Sequence, residues 1–427
     1  MLIVRKTDYL EGKVKAPPSK SYTHRAVIGA SLANGISKIY SPLWGKDCLS
    51  SVYSCRKLGT KITLNLKDDV WIVEGGEYKT PDNIIDVGNS GTTLRILTSL
   101  SSLIPKGYAI LTGDSSIRKR PMQPLLDALK QININAFSSK LDGTAPIIVE
   151  SGEIDGNLVR IRGDISSQFI TSLLMLLPFN KEDTKIELTT PLKSKPYIDI
   201  TLDILDKFGI KVEVLEDGFL VYGNQKYKNI DYTVEGDYSS SSYLIAAGVL
   251  INSNIEIINL FENSKQGDKK IVEIVREMGA DIKVKKDRVI LNGEYNLEGI
   301  DIDAKDIPDL VPTLAVLGCF AEGKTKIYNA EHVRYKESDR LRACYTELKK
   351  MGAKIEERKD GLIIEGVKKL KGAKLNTYHD HRLVMAFTIA GLKAEGETII
   401  DNEESVKISF PNFIEVMRSL GANIEVK

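Results

Sequence analysis

"REMGADIKVKKDRVILNG", Arg276 to Gly293, carries the pattern on which the fold turns. A helical run ends at a glycine, a strand follows at once, and charged turn residues lead into a second strand. Glycine closes the helix because it enters the left-handed conformation without the penalty a Cβ would bring. The same junction recurs in "RKLGTKITL" at Gly59, "DKFGIKVEV" at Gly209, "KKMGAKIEE" at Gly352 and "RSLGANIEV" at Gly421. A weaker copy, "ALKQININA", puts Gln131 in the glycine's place. Successive junctions lie 72, 78, 70, 73 and 69 residues apart, so six such units fill the chain. "EVLEDGFLVYG" and "EERKDGLIIEG" repeat the second half of the pattern, a turn and another strand. A unit of this kind cannot bury both of its faces alone, so units pack on one another, and six predict two lobes of three. A generic α/β protein whose helices happen to end in glycine would not keep so constant a period. "VEGDYSSSSYLIAAG", around Gly236, marks one crossing between lobes and Pro17–Ser19 a second. The predicted division is 1–18 plus 235–427, and 19–234.

The bulk numbers exclude several function classes. A chain of 427 residues exceeds one ordinary core. Hydrophobic residues make up 42% and charged residues 27%, as in globular proteins in general. A net charge of +1 provides no global field for nucleic acid or an anionic membrane, so neither is expected as a partner. "MLIVRKTDYLEGKV" has no signal-like apolar stretch, and runs such as "LVPTLAVLGCFA" are too short to span a bilayer. Four cysteines without a CxxC pair predict a reduced, cytoplasmic setting with neither disulfides nor a cysteine zinc site.

Helix starts carry the chemistry. In "KAPPSKSYTHRAVIGASLANG", Lys15 to Gly35, a proline pair and capping serines open a small-residue helix that runs to Asn34-Gly35, and Lys20, His24 and Arg25 crowd its beginning. A helix N-terminus is already partly positive, so cations there call for an anion. "DVGNSGTTLRIL" offers Asn89 and Ser90 as caps, Gly91 for close backbone approach, and Arg95 in the first turn. "SSIRKRPMQPLLDAL" sets Arg118, Lys119 and Arg120 before Pro121 as the first helical residue. Ser166, Ser167 and Gln168 open another helix, as do Ser194, Lys195, Pro196 and Tyr197. "VRYKESDRLRACYTELKKMG" carries Arg334, Lys336 and Arg340, and "TYHDHRLVMAFTIAG" carries His381 and Arg382. Free amides, hydroxyls and basic side chains at a helix start make an anion site. A single start is explained by ordinary capping; their accumulation predicts more than one bound phosphate or carboxylate.

Acid–base groups are present too. Asp306 and Asp309 flank Pro308 beside an apolar run, where burial raises a carboxylate's basicity; the segment alone favours Asp309 as a helix N-cap. Glu337 lies between Lys336 and Arg340, where surface pairing is the default. In "HDH", His379 and His381 are i and i+2 and share no helix face, and no Glu or Cys completes a metal spacing, so ion pairing or substrate contact is preferred and no metal is expected. There is no P-loop, no GxGxxG after a strand and no GxSxG elbow.

These residues resemble the 5-enolpyruvylshikimate-3-phosphate synthase family from end to end. The motifs are "PPSKSYTHRA", "GNSGTTLRIL", "RKRPMQPLLDAL", "SSQF", "SKPYIDIT", "EGDYSSSSY", "IPDL", "RYKESDRL" and "DHRLVMAF". The resemblance implies an α/β fold: a two-lobed inside-out α/β barrel of six βαβαββ repeats, with the active site in the interlobe cleft. It also implies a transferase of aromatic amino acid biosynthesis that acts on shikimate 3-phosphate and phosphoenolpyruvate, needs no cofactor and works as a monomer.

Carried over position by position, the resemblance implies that Lys20 touches both substrates. Ser21, Arg25, Ser166, Ser167, Gln168, Ser194, Tyr197 and Lys336 hold shikimate 3-phosphate. Asn89, Gly91, Thr92, Arg120, Gln168, Arg340, His381 and Arg382 serve phosphoenolpyruvate. Asp309 is the base on the 5-hydroxyl of shikimate 3-phosphate, and Glu337 with Lys20 handles the proton at C3 of phosphoenolpyruvate. The sequence departs from relatives at three places: Ile408 stands where many have lysine, with Lys407 one step earlier; His332 stands where some have Asn; Ile96 stands where some have proline. Two alternatives compete. An enolpyruvyl transferase acting on UDP-N-acetylglucosamine usually carries a reactive cysteine in the loop where "GDSSIRKRP" has only serines. A non-catalytic anion-binding scaffold would not need Lys20, Asp309, Glu337, Arg340 and Arg382 together.

Overall fold

All five glycine junctions take the left-handed conformation in the computed structural model, which describes residues 1–427. Their φ angles are +95° at Gly59, +78° at Gly209, +107° at Gly279, +91° at Gly352 and +100° at Gly421. Each follows a helix and precedes a strand, as in Lys195–Lys207 before Val212–Leu215 and Arg340–Lys350 before Lys354–Arg358. The sixth junction differs from its sequence reading. Gln131 stays right-handed with φ −69°, and the left-handed turn falls two residues later, on Asn133 with φ +62°. Asparagine tolerates that region better than glutamine because its short amide bonds locally.

Six four-stranded sheets share one topology. In each, an outer strand runs parallel to its neighbour, which pairs antiparallel with a third strand, and a fourth forms the other edge; in five of the six the last two are a hairpin, the fourth strand preceding the third in sequence. Ile85–Asp86, Tyr108–Thr112, Ile147–Glu150 and Ala136–Ser138 are one such set, in spatial order. Asp301–Asp303, Lys324–Tyr328, Gly361–Glu365 and Lys354–Arg358 are another.

Two compact units divide these sheets: Pro18–Val234, and Met1–Pro17 with Glu235–Lys427. The second unit is discontinuous because its first residues complete two distant sheets. Leu2–Arg5 pairs antiparallel with Glu397–Ile400, opposing Ile3 to Ile399, and replaces the last hairpin strand that the repeat at Gly421 lacks. Tyr9–Lys15 pairs parallel with Asn252–Ile258, opposing Gly12 to Ile255. In the other unit Asp231–Thr233 returns to lie parallel to Gly35–Tyr40, with Tyr232 beside Ile39. Each unit therefore closes on residues brought from its two ends.

Each unit has its own apolar core. Helices Tyr238–Leu250, Val311–Phe320 and His381–Lys393 are buried almost all round and pack on one another at the centre of their unit. In the other unit Lys20–Leu32, Gly91–Leu100 and Ser167–Leu176 are buried in the same way. Gly29 lets the Phe208 ring come within 2.4 Å of where a Cβ would sit, which seats the first of these helices against the end of Lys195–Lys207. Helix Lys20–Leu32 ends at Leu32, not at Asn34-Gly35; Gly35, with φ +117°, opens the next strand.

Candidate active site

In the unit Pro18–Val234, Arg25 shows what the helix starts are built for. It is 2% exposed. Its Nε donates to Thr201 Oγ1 at 2.8 Å, Nη1 to the Ser21 carbonyl at 2.9 Å, and Nη2 to Thr171 Oγ1 at 3.3 Å and the Tyr197 carbonyl at 3.1 Å. Four of the five guanidinium N–H groups are used, and every acceptor is neutral. Burial pushes its pKa down to about 10, so it remains a cation near neutral pH, and a buried cation is costly until an anion joins it. These bonds tie three helix starts together: Lys20–Leu32, Ser167–Leu176 and Lys195–Lys207.

The hydroxyls around it divide by role. Ser19, Ser90 and Ser166 are true caps, accepting from the amides of Tyr22, Thr93 and Gln168. Ser166 Oγ also accepts from Arg95 Nη1 at 3.2 Å, so both lone pairs are taken and its O–H is left to donate outward. Arg95 Nη1 reaches Gln168 Oε1 at 2.7 Å, and Gln168 Nε2 donates to Thr92 Oγ1 at 2.9 Å. A rigid line thus connects the serine loop to the glycine loop, with Arg95 stacked 5.0 Å from the Phe169 ring centre. Ser167 is buried at the first helical position. Ser194 stands at its helix start with φ +58° and caps nothing. A left-handed serine is strained, and strain of this kind collects where a hydroxyl must be aimed.

At the glycine loop, Asn89 Nδ2 donates to Asp114 Oδ2 at 2.7 Å. Gly91 lies so close to Arg120 that a Cβ would meet Nη1 at 2.6 Å. Arg120 is buried and donates to Ser116 Oγ at 3.2 Å, whereas Arg118 and Lys119 are exposed. Pro121 is not the first helical residue; the helix is Gln123–Lys130, with Pro124 in its first turn. Lys20 begins helix Lys20–Leu32, and its Nζ sits 3.0 Å from Asp47 Oδ2.

The other unit gathers a second cluster. Arg340, 1% exposed, donates from Nη1 to Asp309 Oδ1 at 2.8 Å, from Nη2 to Glu337 Oε2 at 2.7 Å and from Nε to Asp380 Oδ2 at 2.9 Å. Arg382 Nη2 donates to Asp309 Oδ2 at 2.7 Å. Two guanidiniums thus face three carboxylates. Burial penalises the Arg340 charge, but Asp380, Glu337 and Asp309 outweigh it and hold its pKa above the ordinary value. The capping reading of Asp309 fails: helix Val311–Phe320 starts after it with no side-chain cap. The surface reading of Glu337 fails as well, since it precedes helix Arg340–Lys350 and is largely buried. Asp339 and Asp380 are the caps, accepting from the amides of Arg342 and Arg382. Lys336 is half-buried beside Glu337. Arg334 is engaged elsewhere, by Asp339 and Glu357 at 2.8 Å each.

His381 is fully buried, its Nδ1 3.9 Å from Asp380 Oδ1, while His379 is exposed. No three His, Cys, Asp or Glu side chains are arranged to hold a metal ion. Lys407 is exposed and pairs with Glu404 at 2.7 Å. All four cysteines are buried, and burial pushes the thiols of Cys55 and Cys319 up to about 12, so they are poor nucleophiles.

Sequence reasoning missed Asp47, Thr171, Thr201 and Asp268. Asp47 sits in the first turn of helix Lys46–Lys57, where acidic residues are common, so its type gave no signal. Asp268 is 3% exposed, and burial, then the charge of Asp309, pushes its carboxyl up to about 7.

Comparisons with known proteins identify the family. The chain matches the sequence profile of a family described as EPSP synthase (3-phosphoshikimate 1-carboxyvinyltransferase) over residues 4–417. It is 81% identical over 427 residues to a 3-phosphoshikimate 1-carboxyvinyltransferase of Methanocaldococcus jannaschii, covering 100% of both chains. It is 65% identical over 430 residues to one of Methanococcus maripaludis, again covering 100% of both. Among solved structures it resembles an EPSP synthase from Acinetobacter baumannii with TM-score 0.85 and 26% identity, covering 100% of this chain and 99% of that one. No helix is long and apolar enough to cross a membrane.

Proposed function

The chain belongs to the EPSP synthase (3-phosphoshikimate 1-carboxyvinyltransferase) family, and on that premise we propose that it transfers the enolpyruvyl group of phosphoenolpyruvate to the 5-hydroxyl of shikimate 3-phosphate. Phosphate is released, and the product feeds aromatic amino acid biosynthesis. The observation that carries the substrate reading is Arg25, a buried cation held by neutral oxygens alone. The phosphate-bearing substrate supplies its missing charge, with Lys20, Ser21, Ser166, Ser167, Gln168, Ser194, Tyr197 and Lys336 as partners. Phosphoenolpyruvate goes to Lys20, Asn89, Gly91, Thr92, Arg120, Gln168, Arg340, His381 and Arg382.

In the resting chain each oxygen of Asp309 accepts from one arginine, which stabilises the anion and weakens it as a base. Phosphoenolpyruvate brings anionic oxygens that compete for the same guanidiniums. As they take over Arg340 and Arg382, Asp309 loses its counter-ions and gains basicity. It then removes the 5-hydroxyl proton while the oxygen attacks C2. Glu337, with Lys20, delivers a proton to C3, giving a tetrahedral adduct. The adduct expels phosphate, C3 returns a proton to Glu337, and the vinyl ether forms.

The fully buried thiols favour shikimate 3-phosphate over UDP-N-acetylglucosamine, whose transferases usually carry a reactive cysteine. The same reading places the enzyme in the cytoplasm as a monomer without a cofactor. A phosphate-release assay with phosphoenolpyruvate and each acceptor tests it. Release is expected with shikimate 3-phosphate; release only with UDP-N-acetylglucosamine, or with neither, would reject it.

A further inference from the structure

Three basic residues crowd the start of helix Lys20–Leu32, and the substrate reading uses two of them. His24 is the third. It lies one turn from Lys20, at i+4, so both face the same way, while Arg25 faces the other helices. His24 is fully buried, and its Nε2 stands 3.3 Å from Asp47 Oδ1; the other oxygen, Oδ2, is 3.0 Å from Lys20 Nζ. From His24 Nδ1 the chain of contacts continues 2.8 Å to Ser51 Oγ, 2.7 Å to Thr93 Oγ1 and 2.7 Å to Ser90 Oγ, the cap of the helix that opens with Gly91.

Burial keeps His24 neutral by lowering its pKa against the pull of Asp47. Burial also penalises the Asp47 charge, but Lys20 first, then His24 and Ser90, outweigh it and hold that carboxyl well below the usual range. A neutral imidazole with hydrogen on Nε2 turns one nitrogen to the carboxylate and accepts from Ser51 with the other. The alternative is a core histidine that merely fills space. Such a histidine has no reason to link the counter-ion of one substrate-binding residue to the cap of a substrate-binding loop.

We propose that His24 and Asp47 are positioning residues, which fix the Lys20 ammonium and lock it in register with the Asn89–Thr92 loop through Ser51, Thr93 and Ser90. The proposal rests on the reading of Lys20 as a phosphoenolpyruvate contact. The register matters because a misplacement of about 1 Å can cost a hundredfold in rate.

Steady-state kinetics and thermal unfolding of the full chain test it with His24→Leu, His24→Gln, His24→Asn, Asp47→Asn and Lys20→Met. His24→Leu and Asp47→Asn should lower kcat/KM for phosphoenolpyruvate on the order of ten- to a hundredfold, with a smaller rise in KM for shikimate 3-phosphate, which Lys20 also touches but Arg25 and the serines hold as well. A glutamine amide reaches where Nε2 stood and can still hold Asp47, so His24→Gln should recover most of the loss. An asparagine amide reaches only where Nδ1 stood, so His24→Asn should not. Added to Lys20→Met, His24→Leu should cost little more. Equal losses for Gln and Asn that track the fall in Tm, or near-normal kinetics in His24→Leu, would overturn the proposal. Near-normal kinetics in Lys20→Met would instead overturn the reading of Lys20. Should His24→Leu not fold, the contrast between Gln and Asn decides.

Discussion

Asp309 Oδ2 accepts a hydrogen bond from Arg382 Nη2 at 2.7 Å, across 73 residues of sequence. With Arg340 on its other oxygen, the carboxylate is a counter-ion to two guanidiniums, beside its proposed role as base. Asp309→Ala should therefore cost in two ways. Turnover should fall about 10²- to 10⁴-fold, the usual worth of a positioned proton acceptor. Stability should fall by about 3 kcal/mol, because two buried guanidiniums lose a partner. Glu337→Gln should cut turnover by a similar factor with a smaller loss of stability, since Gln still accepts from Arg340. Binding of shikimate 3-phosphate, measured calorimetrically, should change less than turnover in both. Near-normal turnover in both variants would remove them from the chemistry.

Arg25 predicts a thermal shift. Its buried charge has only neutral acceptors, so an anion that binds the folded chain alone stabilises it. Shikimate 3-phosphate at a hundred times its Kd should add about 2.7 kcal/mol, read as a rise in Tm. Arg25→Met should abolish most of that rise. Arg25→Lys should not restore it, because an ammonium cannot reproduce the fork that holds Thr201, Thr171 and two carbonyls. An undiminished shift in Arg25→Met would place the phosphate elsewhere.

Gly91→Ala isolates the glycine loop. The added methyl would meet Arg120 Nη1 at 2.6 Å, at the far end of a side chain that can swing away. The fold should survive, with a stability loss under about 1 kcal/mol. Displacing Arg120 should raise KM for phosphoenolpyruvate roughly ten- to a hundredfold, since a charge-assisted contact contributes about 1.5 to 3 kcal/mol. KM for shikimate 3-phosphate should change little. Equal KM changes for both substrates would argue against a local effect at Arg120.

Asp268 predicts how stability depends on pH. Burial, then Asp309 and Asp237, raise its pKa from 3.8 to about 7, while the Ser239 hydrogen bond and then Arg382 oppose them. A carboxyl whose folded pKa is raised binds its proton more tightly in the folded chain. The stability it contributes is fully present below about pH 4 and is lost as pH rises through 7. Asp268→Asn never ionises and keeps an acceptor for Ser239. Its Tm relative to the unaltered chain should therefore climb between pH 4 and pH 8. An offset that does not change with pH would show that Asp268 is charged throughout.

Much of the fold was legible because its signals are local. A glycine that must turn left-handed, a hairpin's polar turn and a serine before an apolar run depend on a few neighbouring residues, and five of the six junctions form where the glycine stands. The sixth shifted to Asn133 because asparagine, two residues on, tolerates the conformation better than Gln131. The helix starts and the identities of Arg25, Arg340 and Arg382 were legible for the same reason, helped by a strong family resemblance.

By itself the sequence determined the repeat, the caps and the kinds of charge set at each helix start, all of which short stretches of chain decide. Only the tertiary structure decided which groups meet. It made Asp309 a bridge between two arginines when its own segment favoured a cap, turned His24 onto Asp47, and brought Leu2–Arg5 to Glu397–Ile400. Strand pairing and buried ion pairing are contacts between residues distant along the chain, set by which surfaces the packed core brings together. No local pattern encodes them.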